Sequence, residues 1–157
     1  MICKKMYHID KDITTVTSGL ILHGVNCQGV MGSGVAKQLR AKYPDIYISY
    51  SEHIAFHSHR AYNLLGTTDI CQVSPLLTIA NMFTQLYYGR DSRQYVSYEA
   101  LDACLFYIQQ WTIPTTEIYV PYLVGAGLGG GDESIILDIF AKNLRDRNVT
   151  FCHFGDK

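Results

Sequence analysis

Hydrophobic and polar positions fall into blocks that predict strands and helices in turn. Residues 20–26 (LILHGVN) form a short apolar run that predicts a buried strand. The glycine-rich residues 27–34 (CQGVMGSG) follow. In residues 35–44, Val35, Leu39 and Tyr43 recur at four-residue steps, which predicts an amphipathic helix stopped by Pro44. A strand, a glycine loop and a helix in this order predict a first βα unit.

The same order returns near the C-terminus. Residues 117–124 (EIYVPYLV) are β-branched and aromatic and predict a strand, and residues 125–132 (GAGLGGGD) form a second glycine loop. Residues 133–144 have helical periodicity, and Asp132 is placed as the N-cap of that helix.

The remaining segments complete an alternating pattern. We predict strands over residues 69–73, 76–83 and 149–154 and a helix over 98–111. Residues 45–56 favour a helix, although their Ile and Tyr residues are also common in strands. The alternation predicts an α/β sandwich with a mixed, largely buried sheet.

Length and composition exclude several classes of protein. The 157 residues, 48% of them hydrophobic, fit one domain with a sizeable core. A formal charge of −1 argues against a protein that holds nucleic acid mainly by neutralising phosphates. The five cysteines are scattered and never form a CxxC pair, which indicates reduced thiols and neither a disulfide framework nor a zinc site. Without a signal peptide or an apolar run of membrane-spanning length, we expect a soluble, cytoplasmic protein, or a nuclear one, with no membrane partner.

The two glycine loops carry the candidate chemistry. Glycine lets consecutive backbone N–H groups turn toward an anion, and the N-terminus of the following helix adds positive potential. Loops at the carboxyl ends of strands are where α/β sheets bind ligands, so two such loops could hold a diphosphate. The string at Gly125, Gly127 and Gly130 is weak alone, where a flexible turn explains it equally well.

Three segments together resemble the macrodomain family. Residues 23–44 (HGVNCQGVMGSGVAKQLRAKYP) are similar to its first signature, residues 11–14 (KDIT) to its Gly-Asp-Ile-Thr segment, and residues 125–132 to its diphosphate-wrapping loop. The resemblance implies a three-layer α/β/α fold with a mixed, mostly parallel sheet, forming a single macrodomain over residues 1–157. It also implies that the partner is ADP-ribose or a derivative, with an ADP-ribosylated macromolecule as an alternative.

The resemblance also implies roles for individual residues. Asp12 would accept a hydrogen bond from the adenine amine, Asn26 would hold the distal ribose or its phosphate, and Asp132 would act as general acid/base. Each residue also has a purely structural alternative: Asp12 could be a turn residue, Asn26 a loop-start residue and Asp132 a plain helix N-cap. The further ligand-binding residues would be Ile13, Gly32, Ser33, Gly34, Val35, Gly125, Ala126, Gly127, Leu128, Gly129 and Gly130.

His23 is a third catalytic candidate, because it lies close to the first glycine loop. Its imidazole could contact phosphate or act as a nucleophile, and a buried structural histidine is the alternative. It precedes Asn26 by three residues, so strand alternation places the two on opposite faces unless the strand end is irregular.

Within the family, the motif VNCQGVMGSGVA resembles one branch most. That branch contains the ADP-ribose 1''-phosphate phosphatases, the terminal ADP-ribose glycohydrolases and the DNA ADP-ribose-removing antitoxins. Glycohydrolases of this branch carry a catalytic lysine where this chain has Gln85 or, in a second alignment, Thr84. We therefore expect removal of the terminal phosphate of ADP-ribose 1''-phosphate, with glycohydrolysis and non-catalytic binding as alternatives. No metal or cofactor is expected, because fixed amide dipoles can stabilise phosphoryl charge.

Two other groups of residues have weaker functional interpretations. His53, His57 and His59 include an i, i+4 pair, for which metal binding is a minor alternative. Arg90 and Arg93 lie in a tyrosine-rich loop, where a basic contact at the site mouth competes with plain solvation.

Overall fold

A computed structural model describes residues 6–32, 34–57, 61–88, 94–122 and 131–154, with backbone only at 61 and 62. The strands are β1 (Met6–Asp10), β2 (Gly19–Asn26), β3 (Thr68–Gln72), β4 (Leu77–Gln85), β5 (Glu117–Pro121) and β6 (Asn148–His153). The helices are α1 (Gly34–Lys42), α2 (Asp45–Phe56), α3 (Ala61–Leu64), α4 (Tyr98–Trp111) and α5 (Glu133–Leu144).

The six strands form one sheet in the order β1-β6-β5-β2-β4-β3. Every neighbouring pair is parallel except β3 with β4, which is antiparallel. The prediction of a mixed, mostly parallel sheet is therefore confirmed.

Helices cover both faces of the sheet, and β2 therefore buries side chains on both sides. Leu20 and Leu22 belong to the core formed with α4 and α5. Ile21 and Val25 belong to the core formed with α1 and α2. This is the predicted three-layer α/β/α arrangement.

The predicted helices form close to their expected bounds. α1 ends at Lys42, just before Pro44, as proline geometry requires. Residues 45–56 are helical despite their strand-favouring composition, because Ile46, Tyr50 and Ile54 recur at four-residue steps and all three are buried. Asp132 caps α5 as predicted.

Sequence patterning missed β1, α3 and a short 3-10 helix at Ile13–Thr15. β1 is only five residues long. Tyr7 and Ile9 alternate with His8 and Asp10, but all four residues are exposed, so the strand has no buried apolar face. It forms because its backbone pairs in parallel with β6, from Met6 opposite Val149 to Asp10 opposite His153.

Among the described residues, no helix is long and apolar enough to cross a membrane.

Candidate functional site

The carboxyl ends of five parallel strands lie along one edge of the sheet, and we call this the carboxyl edge. α1, α4 and α5 begin there, because each follows one of these strands. Two bonds confirm the arrangement for α4: Ser97 N donates to Thr84 O of β4 at 2.7 Å, and Asp132 N donates to the Tyr98 hydroxyl at 2.8 Å. Three helix N-termini therefore present partial positive charge at the same edge.

Asp12 lies beyond β1 at this edge and is half-buried. Its Oδ1 accepts from the Thr14 backbone N at 2.9 Å and from Thr14 Oγ1 at 2.8 Å. Asp12 therefore caps the 3-10 helix, which was its structural alternative, while Oδ2 accepts no hydrogen bond from the described residues. Ile13 is 4% exposed, so only its backbone can face a ligand.

Asn26 ends β2 at a β-bulge. The register with β4 shifts between Val25 and Asn26, so that Asn26 lies opposite Gln85. Its Oδ1 accepts from Gln28 N at 2.9 Å and from the Tyr50 hydroxyl at 3.0 Å, while Nδ2 donates to Val30 O at 2.8 Å. Asn26 thus holds the first glycine loop in place, which is the loop-start role given above as its structural alternative. The same side chain lies at the carboxyl edge.

Two tyrosines of α2 hold this first glycine loop. Gly29 N donates to the Tyr50 hydroxyl and the Tyr47 hydroxyl donates to Gly29 O, both at 3.0 Å. The Tyr50 hydroxyl also donates to Asn26 O at 2.7 Å, and burial raises the pKa of Tyr50, so its proton stays in place. Sequence reasoning missed both tyrosines because α2 lies some twenty residues beyond the loop.

The glycines of the loop have the conformational freedom and access that anion binding needs. Gly29 and Gly34 have φ of +80° and +61°, a region that L side chains rarely adopt. Gly32 and Gly34 are exposed, and a Cβ at Gly34 would meet nothing within 4 Å. Val35 in the first turn of α1 is half-buried. A ligand can therefore approach the backbone at the start of α1.

Asp132 is exposed at the start of α5. Its Oδ1 accepts from Ser134 N at 2.9 Å and from Ile135 N at 3.2 Å. The preceding Gly131 is closely packed, since an added Cβ would lie 2.6 Å from Val96 Cγ1 and 3.2 Å from Tyr98 Cε1. Tyr98 therefore holds the exit of the second glycine loop against α4.

His23 is 2% exposed and lies inside the core. Its Nε2 is 2.5 Å from Asn81 Oδ1, and Asn81 Nδ2 donates to Ile46 O and to Asp69 Oδ2. Burial, which outweighs the Asn81 hydrogen bond, lowers the pKa of His23 to about 4. This placement favours the buried structural histidine over a nucleophile.

The pairing of β2 with β4 is irregular at this strand end. Val25 lies opposite Phe83 and Asn26 lies opposite Gln85, so the extra residue, Thr84, belongs to β4. The bonding partners of both side chains lead to α2: Asn26 bonds to Tyr50, and His23 reaches Ile46 through Asn81.

Gln85 and Thr84, the two candidates for the lysine position, differ in access. Gln85 is half-buried beside Asn26, its O accepts from Cys27 N at 3.0 Å, and its Nε2 donates to Tyr87 O at 2.7 Å. Thr84 is fully buried. Of the two, Gln85 is the side chain that adjoins the site.

Phe154 was not among the predicted site residues. It follows β6 at the carboxyl edge and is 64% exposed. Lys11 N donates to His153 O at 2.9 Å, which places Phe154 next to the segment that carries Asp12. Its position at the end of the last predicted strand was the one available sequence signal.

Several predicted residues lie outside the described part of the chain. These are Ser33, His59, Arg90, Arg93 and the second-loop residues Gly125, Ala126, Gly127, Leu128, Gly129 and Gly130.

The ring centroids of His53 and His57 are 4.5 Å apart, with the rings tilted by 41°, and His53 Nε2 bonds to Thr67 Oγ1 at 2.9 Å. The described residues include no group of three His, Cys, Asp or Glu side chains that could hold a metal ion.

Comparison with other sequences finds two short matches and one that spans most of the chain. No family model matches the chain. A 46-residue segment is 46% identical to an ADP-ribose 1''-phosphate phosphatase of Scheffersomyces stipitis, covering 29% of the chain and 27% of that protein. A 51-residue segment is 37% identical to the Meyerozyma guilliermondii protein of the same name, covering 32% and 29%. The matches thus span less than a third of these curated relatives. An uncharacterized 17.5 kDa protein of Enterobacteria phage T4 is 28% identical over 148 residues, covering 79% of the chain and 81% of the phage protein.

Solved structures match nearly the whole chain. A Bacteroides thetaiotaomicron protein has a TM-score of 0.81 at 25% identity, with 95% and 99% of the two chains covered. A macrodomain protein from Streptomyces coelicolor has a TM-score of 0.76 at 22% identity, covering 96% and 99%. Thermosipho africanus DarTG in complex with ADP-ribose has a TM-score of 0.74 at 18% identity, covering 97% of this chain and 42% of that one. The chain has the macrodomain fold, and the resemblance seen in its sequence is confirmed.

Proposed function

We propose that this chain binds ADP-ribose derivatives at the carboxyl edge and removes the terminal phosphate of ADP-ribose 1''-phosphate. The observation that carries the proposal is the meeting of three helix N-termini with Asn26 and Asp132 at that edge. A dianionic ligand is stabilised there without a cluster of lysines. The partial matches to two ADP-ribose 1''-phosphate phosphatases support the substrate.

The ligand would lie along the edge with its adenine over β1 and β6. Asp12 Oδ2 would accept from the adenine amine, because Oδ1 is already engaged by Thr14. The exposed ring of Phe154 offers a face on which the base can stack. The diphosphate would then meet the amides at the start of α1, and the distal ribose would reach Asn26.

The chemistry is assigned to Asp132. Its carboxylate would take a proton from a water whose oxygen attacks the terminal phosphorus, and the bond from phosphorus to the ribose oxygen would break. The ribose oxygen then takes up a proton from solvent, Asp132 releases its proton, and ADP-ribose and inorganic phosphate leave. Amides at the helix N-termini would stabilise the charge that develops on the phosphoryl group.

Gln85 favours phosphate removal over a lysine-dependent glycohydrolysis. An amide nitrogen is not a nucleophile, and Gln85 Nε2 is in addition bonded to Tyr87 O. The residue beside Asn26 therefore cannot form an adduct with the opened ribose.

A binding and turnover panel tests the proposal. By calorimetry we expect ADP-ribose to bind in the micromolar range, about −7 to −8 kcal/mol. Phosphate release from ADP-ribose 1''-phosphate should exceed ADP-ribose release from an ADP-ribosylated protein and an ADP-ribosylated oligonucleotide. If calorimetry detects no heat of binding with millimolar ADP-ribose, the proposal is wrong. Binding without turnover of any of the three would instead identify a non-catalytic binder.

A further inference from the structure

A small cavity of about 150 Å³ lies beyond the end of β4, next to the proposed site. It is lined by Leu65, Leu86, Tyr87, Gln94, Tyr95 and Ser97. Leu86 O accepts from Gln28 Nε2 at 2.9 Å and from Cys27 N at 3.3 Å, so this wall is bonded to the two residues that follow Asn26. The cavity therefore lies close to the place where the distal ribose would sit.

The lining favours an uncharged, apolar occupant. None of the six residues carries a charge, and four of them contribute leucine side chains or tyrosine rings. The polar groups are partly engaged within the chain: Gln94 Nε2 donates to Val96 O at 2.9 Å, and Ser97 Oγ accepts from Ala100 N at 3.2 Å. A phosphate would lose its hydration here without gaining a cationic partner.

The size of the cavity selects a single ring. A cavity of roughly this volume lined by apolar side chains holds one benzene molecule. A single ring would fill it, whereas a methyl group would leave most of it empty. Tyrosine rings in the wall also suit contact with the face or edge of another aromatic ring.

We propose that this cavity is a subsite for an uncharged, single aromatic ring attached to the distal ribose of an ADP-ribose derivative. The proposal rests on the proposed function for the position of the distal ribose. It extends the ligand range beyond phosphate esters to aryl derivatives, which would occupy the cavity while the ADP-ribose portion keeps its contacts.

Calorimetry with two synthetic ligands tests the subsite: ADP-ribose carrying a phenyl group or a methyl group on the distal anomeric oxygen. The wild-type chain should bind the phenyl compound about tenfold more tightly, because the ring leaves water for an apolar cavity. Leu65→Trp fills the cavity and should bring the ratio of phenyl to methyl affinity close to one. Leu76→Trp makes the same substitution at an exposed leucine at the opposite edge of the sheet, where the ratio should stay unchanged.

Tyr87→Ala provides a second variant, since it removes one wall at a 63% exposed position and is expected to fold. It should lower the phenyl-to-methyl ratio, whereas Tyr107→Ala on the outer face of α4 should not. Equal wild-type affinities for the two ligands, or a phenyl preference that survives in both cavity variants, would overturn the subsite. Failure of ADP-ribose itself to bind would instead overturn the proposed function.

Discussion

The two possible roles of Asp132 can be separated by substitutions that treat its carboxylate and its cap differently. Oδ1 accepts from two backbone amides of α5 and so caps the helix. The proposed chemistry instead needs a carboxylate that can exchange a proton. Asp132→Asn keeps a good N-cap and removes the proton acceptor, whereas Asp132→Ala removes both.

The contacts of Asp132 determine how much stability and turnover each variant should lose. Loss of the cap in Asp132→Ala should cost about 1 kcal/mol, which lowers Tm by about 2–4 °C for a chain of this length. Asp132→Asn should lose only the interaction of its charge with the helix dipole, about 0.3–1 kcal/mol. Turnover should fall about 10²- to 10⁴-fold in both variants if the carboxylate is a general acid/base.

The assay is phosphate release from ADP-ribose 1''-phosphate, measured beside ADP-ribose affinity and thermal melting. Affinity should change far less than kcat, since a group that acts mainly in the transition state adds little to ground-state binding. Ser74→Ala is a matched structural control: Ser74 Oγ accepts from the backbone N of Leu76 and of Leu77, at the edge of the sheet opposite the site. It should lower stability and leave turnover intact.

The opposite pattern would refute the catalytic role. If Asp132→Asn turns over at the wild-type rate while Asp132→Ala only melts earlier, Asp132 is a helix cap alone.

The remaining predictions concern other parts of the site and core. Asp12→Asn should weaken ADP-ribose binding about tenfold or more and spare ribose 5-phosphate; equal losses in calorimetry would make Asp12 purely structural. Tyr98→Phe removes the hydroxyl that accepts from Asp132 N, so kcat should fall with KM little changed, and unchanged kcat would contradict this. Borohydride added during turnover should leave the protein mass unchanged, because neither Gln85 nor Thr84, our candidates for the lysine position, has an amine. The depressed pKa of His23 means that the unfolded chain binds the extra proton between pH 6.5 and about pH 4. The free energy of unfolding should therefore fall by up to about 3 kcal/mol as pH drops through this window. Denaturant titrations at several pH values should show a weaker dependence of that free energy on pH in His23→Gln than in the wild-type chain.

The sequence predicted most of the local structure because that information is local. Apolar residues at four-residue steps placed α2, and Asp132 before an apolar periodic segment placed the cap of α5. The first glycine loop was found as a composition signal, and its placement between β2 and α1 is confirmed. Fold class followed from the order of strands and helices together with the macrodomain-like motifs.

Contacts between distant segments could not be predicted in the same way. The bond from His23 to Asn81 spans 58 residues and the bond from Tyr50 to Asn26 spans 24. No periodicity within a window of one helix or strand encodes such pairs. β1 is the clearest example, because its residues become a strand only through pairing with β6 at the other end of the chain.

What the sequence determined by itself is therefore most of the helices and strands, the glycine loops and the chemical types of the candidate residues. The tertiary structure decided which of them meet. It buried His23 in an amide-bonded core position, joined Asn26 to α2 through the Tyr50 hydroxyl, and formed a cavity of about 150 Å³ beyond the end of β4. The reason is physical: backbone propensity acts over a few residues, whereas burial and site geometry depend on how six strands and their helices pack together.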